Sequence, residues 1–339
     1  MKNIKNTTTY KFIDLFAGIG GFHIALSNNG ASCVFSSEWD LKASNIYEQN
    51  FKITPAGDIT KILEKEIPSH DIICGGFPCQ AFSVSGNQKG FNDTRGTLFF
   101  DIARIAKYHK PKVLFLENVK NLIKHDNGNT LKTILNTLDE IGYNVNYKIL
   151  NASHFGLPQN RERVYFVCFR KDLVNTFSFP QETFKPVSVK DILEPNANID
   201  FIERDDINIY KDFKIEIDVF NNVILPNKPV QIGKVNKGGQ GERIYHTLGH
   251  AITLSAYGGG VGSKTGLYFI DGKIRKLTPR ECARVQGFPE SFKIHPLKTE
   301  AYKQFGNSVA VNVIDAIYKN ILNVLKQNES KTTERVSNC

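Results

Sequence analysis

The chain has 339 residues, of which 41% are hydrophobic, and carries 43 Lys and Arg against 34 Asp and Glu, for a net charge of +9. That is enough apolar material for one large domain and a smaller one, and the basic balance favours a polyanionic partner without establishing one. No apolar run approaches membrane-spanning length, the polar start Met1–Asn6 lacks the centre of a signal peptide, and the six cysteines (Cys33, Cys74, Cys79, Cys168, Cys282, Cys339) form no CxxC pair. The expectation is a cytoplasmic, reduced protein in which a free thiol survives.

The first half alternates strand and helix signals. Lys11–Phe16 reads as a strand running into Ala17-Gly18-Ile19-Gly20-Gly21, followed by a helix that Asn28-Asn29-Gly30 stops. Ser32–Ser37 reads as a second strand closed by Glu38-Trp39, and Asp40 caps the next helix, whose apolar face carries Ala43, Ile46 and Tyr47. His70–Gly75 is a strand leading through Pro78 to Cys79, Leu98–His109 a helix broken before Pro111, and Val113–Leu116 a fully apolar strand ending at Glu117-Asn118. Asn129–Ile141 is helical, and Tyr143–Leu150 and Val164–Phe169 are strands. This rhythm predicts a mostly parallel sheet covered by helices on both faces. It ends near residue 185. From there to about 278 the chain is rich in glycine and charge and reads as a second, loop-rich domain. Helical patterning returns at Pro279–Val285 and Val309–Leu325, and the polar tail Gln327–Cys339 reads as frayed.

Several segments carry chemistry. Small residues at Gly18, Gly20 and Gly21, after a strand and before a helix, let a ligand approach the backbone. Glu38, at the end of the next strand, stands where a carboxylate binds ribose hydroxyls, and Trp39, the sole tryptophan, can stack on an adenine. A dinucleotide fingerprint wants Gly or Ala where this chain has His23, which counts against a nicotinamide dehydrogenase. An ordinary tight turn explains the glycines alone equally well.

Cys79 follows a proline at the end of an apolar strand and precedes polar Gln80 and Ser83, a setting for a nucleophile rather than a buried structural thiol. Ser83–Thr97, with Gly86, Gly90 and Gly96, has the make-up of a lid, or of a passive surface loop. Glu117 lies at the carboxyl end of a buried strand, where open α/β sheets bind ligands; burial would fit it to donate a proton. Arg161 and Arg163 alternate onto one face of a strand, so both guanidinium groups can address one anion or base. In the second domain, Gln240 and Arg243 sit among Gly238, Gly239 and Gly241, and both side chains can contact base edges.

Together these segments resemble the C5-cytosine DNA methyltransferases of bacterial restriction–modification systems. The matching pieces occur in the family's order: Asp14–Gly21, Gly76-Phe77-Pro78-Cys79-Gln80, Glu117-Asn118-Val119, Gln159-Asn160-Arg161-Glu162-Arg163, Arg280-Glu281-Cys282-Ala283-Arg284 and Gly306-Asn307-Ser308-Val309. The resemblance spans nearly the whole chain. In Gly238–Tyr245 and Ala251–Gly260 it extends to members that act on GCGC, and it weakens at 190–230 and around His246, Leu248 and His250.

The resemblance implies a Rossmann-like α/β methyltransferase fold with a mixed, mostly parallel sheet and a smaller recognition domain. Its divisions would be a catalytic and cofactor-binding domain (1–190), a target-recognition domain (191–278), a hinge (279–306) and a C-terminal helix returning to the catalytic domain (307–339). It implies S-adenosyl-L-methionine as cofactor, S-adenosyl-L-homocysteine as product, and no metal. Phe16, Gly18, Gly20, Glu38, Trp39, Asp58, Ile59, Pro78, Leu98 and Asn307 take the cofactor positions. Glu38 would hold the ribose hydroxyls, Trp39 the adenine face and Asp58 its amino group.

Cys79 would attack C6 of cytosine, Glu117 would hold the proton on N3, Arg163 would contact the base or a neighbouring phosphate, and Arg161 would orient the site. The base must leave the helix stack to be reached. Gln240 would fill the vacated space with Ser85 opposite, and Arg243 and Tyr257 would contact DNA. The partners implied are double-stranded DNA, a cognate restriction endonuclease as a genetic partner only, and no membrane, for a bacterial monomer. A tRNA cytosine-5-methyltransferase and a non-catalytic DNA-binding regulator on the same fold are the competing readings.

Overall fold

The computed structural model describes residues 9–78, 98–195, 200–210, 216 and 224–337. Cys79, Ser85, the expected lid and Cys339 lie outside the described residues. The chain divides into two compact units: 1–149 with 163–180 and 314–339, and 150–162 with 181–313.

The first unit is built on a six-stranded sheet in the order β2-β1-β3-β4-β6-β5: β1 (Lys11–Leu15), β2 (Ser32–Ser37), β3 (Ile72–Gly76), β4 (Val113–Val119), β5 (Tyr143–Asn151) and β6 (Glu162–Arg170). The pairs β1–β2, β1–β3 and β3–β4 are parallel, and β4–β6 is antiparallel. Helices α1 (Gly21–Asn28), α2 (Leu41–Phe51), α3 (Leu98–His109) and α4 (Asn129–Glu140) fall between the strands. The expected α/β rhythm and mixed, mostly parallel sheet are both present.

Strand alternation buries both faces. Ile13, Leu15, Ile73, Leu114, Leu116, Val164 and Phe166 pack with Phe99, Ile102 and Ile105 of α3 and Ile134 and Leu138 of α4. On the other face Phe115 of β4 meets Phe22 of α1 edge-on at 5.1 Å. Cys74 and Cys168 are buried among these strands and Cys282 in the second unit, while Cys33 is half-buried. All four are free thiols within or against packed structure.

Two boundaries differ from expectation. β4 continues past Leu116 to Val119, because β6 supplies antiparallel partners for Asn118 and Val119 at Val164 and Arg163. Glu117 is therefore a strand residue. The tail is helical rather than frayed: α7 (Val311–Ser337) continues through Gln327. Asn328 anchors it by accepting from Val174 N at 2.8 Å and donating to Val174 O at 3.0 Å.

The second unit holds a five-stranded sheet in the order β11-β10-β9-β8-β7: β7 (Asn208–Ile209), β8 (Gln231–Lys234), β9 (Arg243–His246), β10 (Leu267–Ile270) and β11 (Lys273–Arg275). Its small core is Ile232, Val235, Ile244, Leu267 and Ile274. Helix α5 (Pro279–Val285) begins with proline at its first position and a Thr278–Glu281 capping box. Helix α6 (Lys298–Asn307), which no apolar periodicity announced, ends at the Gly306-Asn307-Ser308 turn.

Candidate active site

In the first unit the parallel strands end in register, with Ser37, Leu15, Gly75 and Leu116 side by side. The chain reverses its direction of winding at β1, with β2 on one flank and β3 on the other. This is the switch point at whose carboxyl edge open α/β sheets take ligands.

The β1–α1 turn carries the first candidates. Phe16 (φ 56°), Gly18 (φ 54°) and Gly20 (φ 86°) are all left-handed, an uncommon conformation for phenylalanine, and a side chain on Gly18 would meet nothing within 4 Å. The turn is tied to the end of β2, where Gly18 N donates to Glu38 Oε2 and Asp40 N to Glu38 Oε1, both at 2.8 Å. Burial pushes the Glu38 carboxyl upward while these N–H groups pull it down. Beside it the Trp39 ring is 79% exposed. A carboxylate, an uncovered indole face and open space at Gly18 fit an adenosine-bearing group, whereas Gly20 is pressed against Phe51 of α2, where a Cβ would lie 2.1 Å from the ring.

Asp58 stands close by, since Ala56 N donates to Ser36 O of β2 at 2.8 Å. Its Oδ1 accepts from Thr60 N at 3.1 Å and Thr60 Oγ1 at 2.8 Å, which holds its pKa low. The adjoining Ile59 is buried in the core, and its carbonyl accepts from Arg104 of α3 at 2.7 Å. His109, at the far end of α3, lies with its ring 4.7 Å from that of His70, just before β3. Helix α3 thus runs against the strand direction and brings Leu98 to the carboxyl edge. Pro78 is exposed just beyond β3.

Glu117 is paired in register with Gly76, three residues before Cys79. It is buried, and its Oε1 lies 3.2 Å from Nε of Arg163. Glu117 stands opposite Tyr165, and Arg163 opposite Val119, so the two charges are diagonal neighbours on one face of the sheet. Asn118, on the other face, donates to Phe77 O at 2.9 Å and so holds the segment that leads to Cys79.

The guanidinium of Arg161 is engaged by backbone carbonyls of its own unit. β6 begins at Glu162, so period-two alternation does not reach Arg161. Its guanidinium is buried in the second unit and donates to Leu254 O, Gly306 O and Ser308 O. The expectation that both guanidinium groups address one anion is corrected on that ground.

The second unit brings the two glycine-rich segments together. Gly262 N donates to Gly241 O at 2.7 Å, and a Cβ on Gly241 would lie 2.1 Å from Gly259 O. Against this block a cleft of about 290 Å³ is lined by Asn160, Gln240, Arg243, Tyr245, Ile252 and Thr253. Tyr257 is 74% exposed, and Asn307 is exposed at the end of α6.

Sequence reading gave no role to three buried polar residues, two of which, Asp14 and Gln159, lie inside the quoted motifs. Gln159 and Gln286 join the motifs of the second unit through hydrogen bonds. Asp14 does carry a signal, as a lone carboxyl in an apolar strand. It is fully buried, with burial driving its pKa well above the carboxylate range and the Cys74 thiol donating to it. Among the described residues no helix is long and apolar enough to cross a membrane, and no group of three or more His, Cys, Asp or Glu side chains is placed to hold a metal.

Comparison with known proteins gives the family. The family of C-5 cytosine-specific DNA methylases matches residues 10–323. The type II methyltransferase M.HhaI of Haemophilus parahaemolyticus is 55% identical over 320 residues, covering 94% of this chain and 95% of its own. M.HpaII of Haemophilus parainfluenzae is 47% identical over 334 residues, covering 93% and 90%. Among solved structures, a DNMT2 mutant of Spodoptera frugiperda superposes with a TM-score of 0.69 at 20% identity, over 93% of this chain and 100% of its own. The Dnmt2 methyltransferase of S. pombe gives 0.66 at 22% identity, over 92% and 98%. At such identities these two speak for the fold alone. The family match and the identity to its type II members, each over nearly the whole chain, show that the chain belongs to the C-5 cytosine-specific DNA methylases and is a DNA cytosine-5-methyltransferase.

Proposed function

We propose that the chain methylates cytosine within GCGC in duplex DNA, with S-adenosyl-L-methionine as cofactor, and so shields DNA from a cognate endonuclease in a bacterial cytoplasm. The observation that carries the chemistry is the buried Glu117–Arg163 pair beside β3, the strand that runs into Pro78-Cys79. The 55% identity to M.HhaI and the glycine-rich block bearing Gln240 support the target sequence. On this reading 191–278 serves target recognition, 1–190 catalysis and cofactor binding, 279–306 is a hinge, and 307–339 returns to the catalytic part. The protein works as a monomer without metal.

The Cys79 thiolate adds to C6 of the extruded cytosine, breaking the C5–C6 double bond and leaving an electron-rich C5. Glu117 holds a proton on N3 as charge develops there, and Arg163 keeps the Glu117 carboxyl in place and meets the base or its phosphate. When bound, the cofactor supplies the electrophilic methyl group that C5 takes. Loss of the C5 proton and expulsion of the Cys79 thiolate restore the double bond. Phe16, Gly18, Gly20, Glu38, Trp39, Asp58, Ile59, Pro78, Leu98 and Asn307 hold the cofactor. Glu38 takes the ribose hydroxyls, Trp39 the adenine face and Asp58 the adenine amino group. Gln240 and Ser85 fill the space the base leaves, with Arg243 and Tyr257 on the DNA backbone or bases.

Bisulfite sequencing of plasmid DNA treated with purified protein and S-adenosylmethionine tests this directly. Conversion-resistant cytosines confined to one position of GCGC are expected. Resistance at another sequence would overturn the target, and methyl transfer to tRNA with duplex DNA untouched would overturn the substrate.

A further inference from the structure

Arg161 is 2% exposed, and its guanidinium is bonded to backbone carbonyls of the second unit. Nη1 donates to Leu254 O at 3.1 Å and Gly306 O at 3.4 Å, and Nη2 to Gly306 O at 3.3 Å and Ser308 O at 2.6 Å. Gly306 and Ser308 flank Asn307. Leu254 leads into Ser255 and Ala256, and Gly306 is pressed onto the peptide between them. A Cβ there would lie 2.2 Å from Ser255 C and 2.3 Å from Ala256 N.

A second polar side chain from the same short segment grips the same two stretches. Gln159 accepts from Leu254 N at 3.1 Å and donates to Gln286 Oε1 at 3.1 Å. Gln286 in turn donates to Phe305 O at 2.7 Å. The segments at 254–256 and 305–308 are thus fastened together twice, once by Arg161 and once through Gln159 and Gln286. Asn307, within one fastened segment, and Tyr257, next after the other, are both exposed. A planar guanidinium suits this task, since its fork reaches several carbonyls in fixed directions; an ammonium offers one point of charge.

We propose that Arg161 is a positioning residue that clamps the Gly306–Ser308 turn to the Leu254–Ala256 segment, and thereby sets Asn307 for the cofactor and Tyr257 for DNA as one block. The inference rests on the reading of Asn307 as a cofactor contact. Arg161 acts through the backbone of that turn and does not touch the reacting base. Because one clamp serves both segments, loosening it weakens both binding functions before it slows the chemical step.

The test is a kinetic cycle of wild type, Asn307→Ala, Arg161→Lys and the double variant on duplex DNA, with thermal melting to show that each is folded. Each single variant is expected to raise KM for S-adenosylmethionine about tenfold while kcat moves less than about threefold, and the double variant to be no worse than the weaker single, because coupled residues are not additive. Additive losses, near about a hundredfold in KM, would overturn the clamp, since independent sites add. So would a fall in kcat at unchanged KM, which would put Arg161 at the reacting base. If Asn307→Ala alone has the wild-type KM, the cofactor reading of Asn307 fails, and the clamp's assigned purpose with it. Gly306→Ala supplies a variant with the guanidinium intact. Its added methyl should lift the turn off the Ser255–Ala256 peptide and reproduce the KM rise, and a wild-type KM there would also overturn the proposal.

Discussion

Nε of Arg163 lies 3.2 Å from Oε1 of Glu117, across the diagonal of the antiparallel β4–β6 pair. Both side chains are largely buried, so replacing either leaves the other's charge with less support than it has in water. Glu117→Gln keeps the volume and removes the charge. Its kcat should fall by about a hundredfold or more, the usual worth of a positioned acid or base, while specific DNA binding persists. Single-turnover methyl transfer beside gel-shift titration checks both, and an unchanged rate would remove Glu117 from the chemistry.

Cys79 lies outside the described residues, so its role is tested chemically. A duplex with 5-fluorocytosine at the target should trap the enzyme, because fluorine cannot leave C5 as a cation. A slow-migrating band on denaturing gels is expected with wild type and none with Cys79→Ser. Absence of the band with an enzyme that methylates ordinary DNA would refute the covalent route.

Trp39 is the only tryptophan and is 79% exposed. Trp39→Ala should therefore change stability by less than about 0.5 kcal/mol while raising KM for S-adenosylmethionine. In the wild type the same exposure makes intrinsic fluorescence a direct reporter, and cofactor titration should quench or shift it. A flat titration at saturating cofactor would place the adenine elsewhere.

Gly241→Ala addresses recognition separately. The new methyl would lie 2.1 Å from Gly259 O, a backbone atom that cannot swing aside. Prising the two glycine-rich segments apart should raise KM for DNA and leave cofactor affinity alone. Equal losses for both ligands would mean that the block has no special part in recognition.

Acid sensitivity should begin above the carboxylate range. Burial pushes His23 and His70 down from the ordinary 6.5 to about 4. His23 sits against Tyr47 (2.7 Å) and Phe51. His70 bonds Pro68 O at 2.7 Å and faces His109 near Asp71. Between those values the unfolded chain binds more protons than the folded one, so stability falls as pH drops from about 6.5 towards 4, by up to about 3 kcal/mol for each histidine. Urea denaturation at stepped pH should show this decline, and His70→Gln should lose one histidine's share of it. An unaltered slope in that variant would mean that His70 is already charged in the fold.

The ends of the first three strands were legible in the sequence because each run is closed by a glycine, a charged residue or a proline: Gly18 after β1, Glu38 after β2, Pro78 after β3. Arg161 was misread because two residues' spacing aligns side chains only inside a strand, and β6 starts one residue later. Helix α6 was missed because its inward face is made of Ala301, Gln304, Phe305 and Gly306, too polar and too small to register as an apolar stripe. The packing of Gly241 on Gly259 depends on tertiary approach. A glycine in sequence announces room, but not what fills it.

The reversed direction of β6 has a consequence for engineering. Val119 and Arg163 are register partners, so the chain that leaves β4 at Val119 comes back, at the start of β6, to the point it left. Within the stretch between them, the bend at Ile141-Gly142, with Gly142 at φ 93°, follows α4 and lies far along the chain from both charges. A foreign domain spliced at that bend would hang from the enzyme as a side branch, leaving the two ends of the stretch stitched together beneath it.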